Sequence, residues 1–263
     1  MKNMIFKKGF SILEISIALL LISILLYGVS TIVQTMRGVE KKAENTAILT
    51  DAYNALITFA QVQGYLPCPD TTGDGLENRS AVGAEACTRT TGELPFKMLG
   101  IEEVDAWDQP LYYAVNQRAS DDDDIGDVDS SASYFNRNTV AVGVDMNAPF
   151  FRLHTPPLAG VSGIGNYIIC AETASICDGT TLPVEQIEMA AIAVVVSFGE
   201  NGAMTWAGES LDVAETENAD NDLFFWHAQG SSVAGNVFDD QMIWITAFDL
   251  KSAILRTERS FQP

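Results

Sequence analysis

The hydrophobic pattern of the chain changes at about residue 34. From Phe10 to Val33 nearly every residue is apolar, and Glu14 is the only ionisable one. A helix over this stretch would rise about 36 Å at about 1.5 Å per residue, enough to cross a bilayer core of about 30 Å. The pattern therefore predicts a transmembrane helix over residues 10–33. A carboxylate inside such a helix is costly, which makes Glu14 a candidate functional residue.

After Val33 the pattern becomes amphipathic. Apolar residues recur every three or four positions as far as Val62, with charged and amide side chains between them. No proline interrupts residues 10–65, and Gly64 is a common type of helix stop. The spacing predicts one helix from about Phe10 to Gln63, of which residues 34–63 pack an apolar stripe on a globular domain.

Short apolar runs beyond Gly64 alternate with turn-rich and acidic stretches. These runs predict strands at residues 111–115, 139–144, 167–170, 190–198 and 241–247, and a short terminal helix at 248–259. The predicted fold class is α+β, with one long helix packed on a mostly antiparallel sheet that has long loops.

Charge excludes one class of partner and favours another. The 263 residues include 35 acidic and 15 basic side chains, which gives a net charge of −20. Nucleic-acid binding depends on Lys and Arg that neutralise phosphates, so we expect no nucleic-acid partner. An acidic chain is instead suited to divalent cations.

The four cysteines predict disulfides rather than a zinc site. They form no C-x-x-C pair, and the two histidines lie far from them in sequence. Of the three possible pairings, Cys68–Cys87 and Cys170–Cys177 close the shortest loops and are preferred, with four reduced core cysteines as the alternative. Disulfides indicate an oxidising compartment outside the cytoplasm.

One acidic segment is a candidate calcium site. Calcium takes about 6–8 oxygen ligands, which carboxylates, amides and free carbonyls of a turn-rich loop can supply. The alternative is a solvated acidic loop. The candidate ligands are Asp212, Glu215, Glu217, Asn218, Asp220 and Asp222.

Two other acidic stretches are weaker candidates. Residues 121–124 are four consecutive aspartates, a block that is usually solvated. The turn from Asp70 to Gly75 resembles the start of an EF-hand loop, but Ala81 stands where the last ligand, a glutamate, belongs. We interpret that turn as a disulfide-stapled structural turn.

Catalytic signatures are missing from the sequence. There is no G-x-S-x-G, no H-E-x-x-H and no Walker A loop, and His154 and His227 stand alone. The sequence therefore predicts that the protein is not an enzyme.

The segment from Lys8 to Glu14, K-G-F-S-I-L-E, resembles the processing site of type IV prepilins and pseudopilins. In that family a membrane peptidase cuts after the glycine, the new N-terminal residue is N-methylated, and the glutamate at mature position five directs assembly. The resemblance implies that residues 1–9 are a leader ending at Gly9, that Phe10 is the mature N-terminus and that Glu14 is the assembly glutamate. The alternative is an ordinary signal anchor.

Three shorter stretches are similar to segments of the major pseudopilin of type II secretion. Residues 105–113 resemble its D-P-W-G-x-P-Y-x-Y segment, from which Ala106 and Asp108 depart. Residues 197–202 resemble its S-x-G-x-D-G turn, and residues 217–222 resemble the stretch in which a calcium ion organises a loop. Residues 116–190 have no counterpart.

The resemblance implies a pilin-like lollipop, in which residues 34–263 form an exported globular domain. The implied function is a structural subunit of a type IV pilus or a type II secretion pseudopilus, and the size of the chain favours a minor subunit. Its partners would be other pilin or pseudopilin subunits, the prepilin peptidase and methyltransferase, and the inner membrane. Before assembly it would cross that membrane once with its domain in the periplasm. The alternative is a single-pass membrane-anchored exported enzyme or binding protein.

Overall fold

One helix, α1, runs from Ile12 to Gln63 in the computed structural model, as the sequence predicts. The chain divides into two compact units, Met1–Glu44 and Asn45–Pro263. In the first unit the large apolar side chains of α1 from Ile12 to Tyr27, which the structure describes, are exposed on every face of the helix. Among the described residues, no helix is both long enough and apolar enough to cross a membrane.

The structure describes residues 12–63, 65–80, 87–120, 166–174, 176–210, 212–228, 231–233 and 236–256, without the side chains of 28–35, 118, 120, 231–233, 236, 237, 247, 251, 254 and 255. Several predictions lie outside this part. They concern the leader with Gly9 and Phe10, the first two residues of the span at 10–33, the helix stop at Gly64, the aspartates at 121–124, the strand at 139–144 and His154.

In the second unit, α1 buries a stripe of small and aliphatic side chains. Leu49, Ala52, Leu56 and Ala60 recur every three or four residues and are each at most 3% exposed. This spacing places them on one face of the helix, which is the face that packs into the core.

The sheet has six strands within the described residues, in the order β1-β2-β4-β3-β5, with β8 also paired to β4. All of its pairings are antiparallel except that between β3 and β5. A separate hairpin contains β6 and β7. The strands are β1 Thr91–Glu93, β2 Tyr112–Val115, β3 Tyr167–Ala171, β4 Gln186–Ser197, β5 Phe224–His227, β6 Ser231–Val233, β7 Asn236–Phe238 and β8 Gln241–Thr246.

The central strand β4 has partners on both sides. Ala193 pairs with Val115 of β2 and with Ile245 of β8, whereas Ala191 pairs with β3 and with β8. Because a strand has only two edges, β2 and β3 must lie end to end along the same edge of β4. Asn116 and Asn166 meet at that junction, where the amide nitrogen of Asn116 donates to Oδ1 of Asn166 over 2.8 Å.

Side chains from both faces of the sheet are buried. In β2, Tyr113 and Val115 belong to the cluster that includes the buried stripe of α1, while Tyr112 and Ala114 belong to the opposite cluster. This alternation is the period of two that a strand requires. The opposite cluster also contains Phe198 and Phe225.

The remaining helices are short. They are α2 Phe96–Leu99, α3 Gln117–Ser120, α4 Gly202–Trp206, α5 Val213–Ala219 and α6 Ala247–Leu255, with 3₁₀ turns at Pro183–Glu185 and Gly199–Asn201. Helix α6 corresponds to the predicted terminal helix. The described part of the chain therefore has a mixed α+β fold with a mostly antiparallel sheet.

Both preferred disulfides are present. Cys68 is bonded to Cys87 and Cys170 to Cys177, and all four residues are buried. The first bond closes the turn that follows α1, and the second closes the turn that follows β3.

Candidate functional site

The acidic segment at residues 212–222 is built around a helix, although the sequence was interpreted as a turn-rich loop. Asp212 is the N-cap of α5, and its Oδ1 accepts hydrogen bonds from the backbone N–H groups of Ala214 and Glu215 at 2.9 and 3.4 Å. A carboxylate at this position satisfies N–H groups that a helix start leaves without partners. Capping therefore accounts for Asp212.

The remaining predicted carboxylate ligands lie in two different clusters. Glu215 joins Asp239 and Asp240, which we call the buried cluster, and all three residues are buried. Glu217, Asp220 and Asp222 form the exposed cluster at the end of α5. In each cluster the candidate ligand oxygens lie within 4.8 Å of one another. The structure therefore divides the predicted ligand set and adds two aspartates from outside the segment.

Glu215 is held in place by hydrogen bonds from its surroundings. The side-chain nitrogen of Asn201 donates to both of its oxygens at 2.7 Å, and the hydroxyl of Ser210 donates to Oε2 at 2.6 Å. The residue is 0% exposed. These donors fix the carboxylate at the buried end of α5's first turn.

Asp239 and Asp240 stand just before β8. The backbone N–H of Glu200 donates to Oδ2 of Asp239 at 2.8 Å, and Nδ2 of Asn218 donates to Oδ2 of Asp240 at 2.7 Å. Gly199 adopts a φ of +67°, and a Cβ there would lie 2.4 Å from the Asp239 carboxylate. The 3₁₀ turn can approach the buried cluster this closely because residue 199 has no side chain.

The three carboxylates of the buried cluster repel one another when they are ionised. Two unit charges about 4 Å apart repel by about 4 kcal/mol at an effective dielectric constant of about 20. Burial raises the pKa of Asp240 well above its ordinary value, the hydrogen bond from Asn218 lowers it, and repulsion from Glu215, Asp239 and Asp212 raises it again. Burial likewise raises the pKa of Glu215. A cation or bound protons must offset this repulsion.

The carboxylates of the exposed cluster also repel one another, although less strongly. Partial burial and repulsion from Asp220 and Asp222 raise the pKa of Glu217 to about 7. Asp220 and Asp222 are themselves exposed, so solvent screens their charges.

Asn218, the predicted amide ligand, connects α5 to β5 and to Asp240. Its Nδ2 donates to Asp240 and to the backbone oxygen of Trp226, and its Oδ1 accepts a hydrogen bond of 2.6 Å from the backbone N–H of Trp226. These contacts tie α5 to β5 and orient Asp240.

Sequence reasoning missed Asp239, Asp240 and Asn201. Asp239 and Asp240 are adjacent acidic residues between Phe238 and Gln241, in a stretch where most neighbours are apolar or amide residues. An acidic pair directly before an apolar strand is expected to be partly buried, and a buried charge needs compensation. The pair was therefore a sequence signal for this site. No local sequence pattern indicated that this pair lies beside Glu215.

Two segments that resemble pseudopilin sequences, residues 105–113 and 197–202, contact each other through Asp105. Oδ1 of Asp105 accepts from the backbone N–H groups of Trp107 and Gln109, and its Oδ2 accepts a 2.5 Å hydrogen bond from the hydroxyl of Ser197. Asp105 therefore links the turn of residues 105–109 to the end of β4. Asp108 in this turn has a φ of +63°.

The EF-hand-like turn is stabilised from within. Oδ1 of Asp70 accepts from the backbone N–H groups of Thr72 and Gly73 at 2.8 Å, and Oδ2 accepts from that of Gly75. Despite the opposing effect of burial, these backbone hydrogen bonds lower the pKa of Asp70. The arrangement agrees with the interpretation of this segment as a structural turn.

A small cavity near β2 is lined by polar and aromatic side chains. Its volume is about 260 Å³, just under the range of about 300–1,000 Å³ that is typical of small-molecule sites. The side chains of Thr91 and Asn221 are hydrogen bonded to each other at 2.7 Å across its wall. Arg89, Tyr112 and Trp206 also line it.

Of the three processing and assembly residues, only Glu14 belongs to the described part of the chain, where it lies exposed in the first turn of α1. The buried acidic groups around Glu215 are placed so that they could hold a metal ion. Comparison with family models, with curated proteins and with solved structures gave no match to this chain.

Proposed function

We propose that this protein is a structural subunit of a type IV pilus or a type II secretion pseudopilus, processed after Gly9 and polymerised through its N-terminal helix. The observation that carries the proposal is the K-G-F-S-I-L-E segment at Lys8–Glu14, which opens an apolar stretch whose only ionisable residue is Glu14.

The exposure of α1 supports this proposal. Between Ile12 and Tyr27 the large apolar side chains are 50% to 87% exposed, on every face of the helix. A helix that is apolar all round requires lipid or other helices around it. A bilayer before assembly and a bundle of neighbouring subunits afterwards would supply both environments.

Glu14 has a chemical role in this proposal. Cleavage after Gly9 creates a free amine at Phe10, and in a helical bundle this amine can meet the Glu14 carboxylate of a neighbouring subunit. A misaligned neighbour would leave the carboxylate buried and unpaired, at a cost of roughly 3–5 kcal/mol. The pair would therefore select the axial register of the subunits.

The second unit fits a minor subunit. It contains more than 200 residues and two disulfides, which form in an oxidising compartment such as the periplasm. We place the protein in the inner membrane as a single-pass protein before assembly, and then in the filament with other pilin-like subunits.

We also propose that one of the two acidic clusters, the buried or the exposed one, binds calcium. Their potential ligands are carboxylate oxygens, which select hard cations. Calcium accepts irregular coordination, whereas magnesium requires a nearly octahedral site.

The test compares the membrane fraction with sheared filaments from the native cells. We expect the chain in both fractions to begin with N-methylated Phe10, as read by intact mass spectrometry. Glu14→Gln should reduce the amount of the chain in the filaments by about tenfold or more without changing its amount in the membrane, because the neutral amide cannot form an ion pair with the protonated amine.

Glu40→Gln is the matched control, since it makes the same change on the same helix outside the apolar stretch. It should enter filaments normally. A chain that begins at Met1, in cells whose other prepilins are processed, would contradict the proposal and favour a membrane-anchored exported protein.

A further inference from the structure

The buried cluster brings together side chains that are distant in sequence. Glu215 comes from the first turn of α5, while Asp239 and Asp240 come from the link between β7 and β8. Their exposed fractions are 0%, 9% and 5%. In the part of the chain that the structure describes, neither Glu215 nor Asp240 forms a salt bridge.

A separate observation concerns individual oxygen atoms at this site. Oδ1 of Asp240 is buried and has no hydrogen-bond donor among the described residues, although Oδ2 of the same carboxylate is bonded to Asn218. Oδ1 of Asn201 is also buried without a hydrogen bond there. Buried polar atoms of native proteins nearly always have a partner, so these two oxygens are acceptors that a bound cation could satisfy.

The neighbouring donors show how such a ligand would be held. Asn201 and Ser210 orient Glu215, Asn218 orients Asp240, and the N–H of Glu200 orients Asp239. Each carboxylate is thus fixed by hydrogen bonds, and Oδ1 of Asp240 keeps its lone pairs for an ion. Ligating carboxylates in metal sites are supported in this way.

We propose that one calcium ion is bound by Glu215, Asp239 and Asp240, and that it ties α5 to the start of β8. Asn201 supplies an amide oxygen as a further ligand, and water completes the shell. This inference rests on the calcium proposal, whose ligands it names, and is independent of the filament proposal.

The position of the ion gives it a structural role. Gln241, the residue after Asp240, accepts a hydrogen bond of 2.6 Å on its Oε1 from Nδ2 of Asn45 in α1. Asp239 and Asp240 therefore lie between a contact to α1 and the turn at Gly199–Asn201. Binding of the ion at this point would stabilise α5, the turn and the start of β8 together.

The test uses the full chain in detergent, freed of metal with a chelator and titrated with calcium chloride by calorimetry. We expect one tight calcium site and a melting temperature that rises with calcium and falls again with chelator. Asp240→Asn should weaken calcium binding by about tenfold or more.

Melting of Asp240→Asn separates loss of a ligand from a simple folding defect. In chelator this variant should melt at or above the wild-type temperature, because one of three mutually repelling charges has gone. In calcium it should melt below the wild type. A variant that merely folds poorly would melt lower in both conditions, and that result would count against the site.

Asp222→Asn is the matched control, since it makes the same change in the exposed cluster. It should leave calcium affinity unchanged. If it weakens binding while Asp240→Asn does not, the ion lies in the exposed cluster and this inference is wrong, although the calcium proposal stands. If the wild type binds no calcium and ignores chelator, both are wrong.

Discussion

Asp108 occupies a backbone conformation that favours glycine. Its φ of +63° is left-handed, which costs an ordinary L-residue about 1–2 kcal/mol. The pseudopilin segment that residues 105–113 resemble has glycine at this position. The turn is nevertheless maintained by Asp105, whose Oδ1 accepts from the N–H groups on both sides of Asp108.

Replacement of Asp108 by glycine should therefore stabilise the protein. We expect Asp108→Gly to raise the free energy of unfolding by up to about 1 kcal/mol, because glycine adopts this conformation without strain. For a chain of this size the melting temperature should rise by about 2–4 °C per kcal/mol. Asp108→Ala, which keeps a Cβ at the same position, should lower it. Equal melting temperatures for the two variants would contradict this explanation.

Among single residues, the sequence predicted the cysteine pairs and missed Asp239 and Asp240. Short loops make a disulfide pairing readable from spacing, as in the loop closed by Cys170 and Cys177. The contact between Glu215 and Asp240 instead depends on how α5 and β8 pack, which no local pattern records.

Secondary-structure elements differ in how strongly their sequence predicts them. Helix α1 was predicted almost to its described ends, because its apolar pattern is long and contains no proline. Strand β1 has three residues, and β5 is a short aromatic run that pairs in parallel with β3, so neither gives a clear alternating pattern.

The missed helix α5 did have a sequence signal. Asp212 and Glu215 are spaced as in a capping box, with an N-cap acceptor followed three residues later by glutamate. The density of acidic residues suggested a loop, but the caps and the helix-forming Ala and Glu residues determine the local structure.

The buried stripe of α1 should carry much of the stability of the second unit. Leu56 is 0% exposed in the core, so Leu56→Ala should lower the free energy of unfolding by about 2–5 kcal/mol. Urea denaturation of the full chain in detergent measures this loss. Thr58→Ala, two residues away on the exposed side, should change it by no more than about 0.5 kcal/mol. Similar losses at both positions would show that the stripe is not the packing face.

At the scale of the whole molecule, acidic groups with raised pKa values should make stability depend on pH when calcium is absent. A carboxyl whose pKa is higher in the folded state than in the unfolded state stabilises the fold below its unfolded pKa. That stability is lost as the pH rises through the folded pKa. For Glu217 this window runs from about 4.5 to about 7.

In chelator, Glu217→Gln should therefore gain stability relative to the wild type as the pH rises from about 5 to about 8. Melting temperatures at several pH values measure the difference. Glu209→Gln changes an exposed glutamate outside both clusters. Its melting temperature should change with pH as that of the wild type does. A parallel profile for Glu217→Gln as well would contradict the repulsion described for the exposed cluster.

The overall α+β class was predictable because the helix and four of the eight described strands, β2, β3, β4 and β8, have strong patterns. The arrangement of β2, β3 and β8 around β4 was not, since it depends on pairings between strands that are far apart in sequence. The same limit applies to the buried cluster, which three separate segments complete.

The end-to-end arrangement of β2 and β3 has a consequence for how this chain can vary. The hydrogen bond between Asn116 and Asn166 joins the end of β2 to the start of β3. Each doubling of the length of a flexible segment inserted between fixed ends costs only about 0.6 kcal/mol. Because this hydrogen bond holds the ends of β2 and β3 beside each other, a change in the length of the segment that joins them should leave the pairing of both strands with β4 intact. This is the point at which related chains could differ in length while they keep the same sheet.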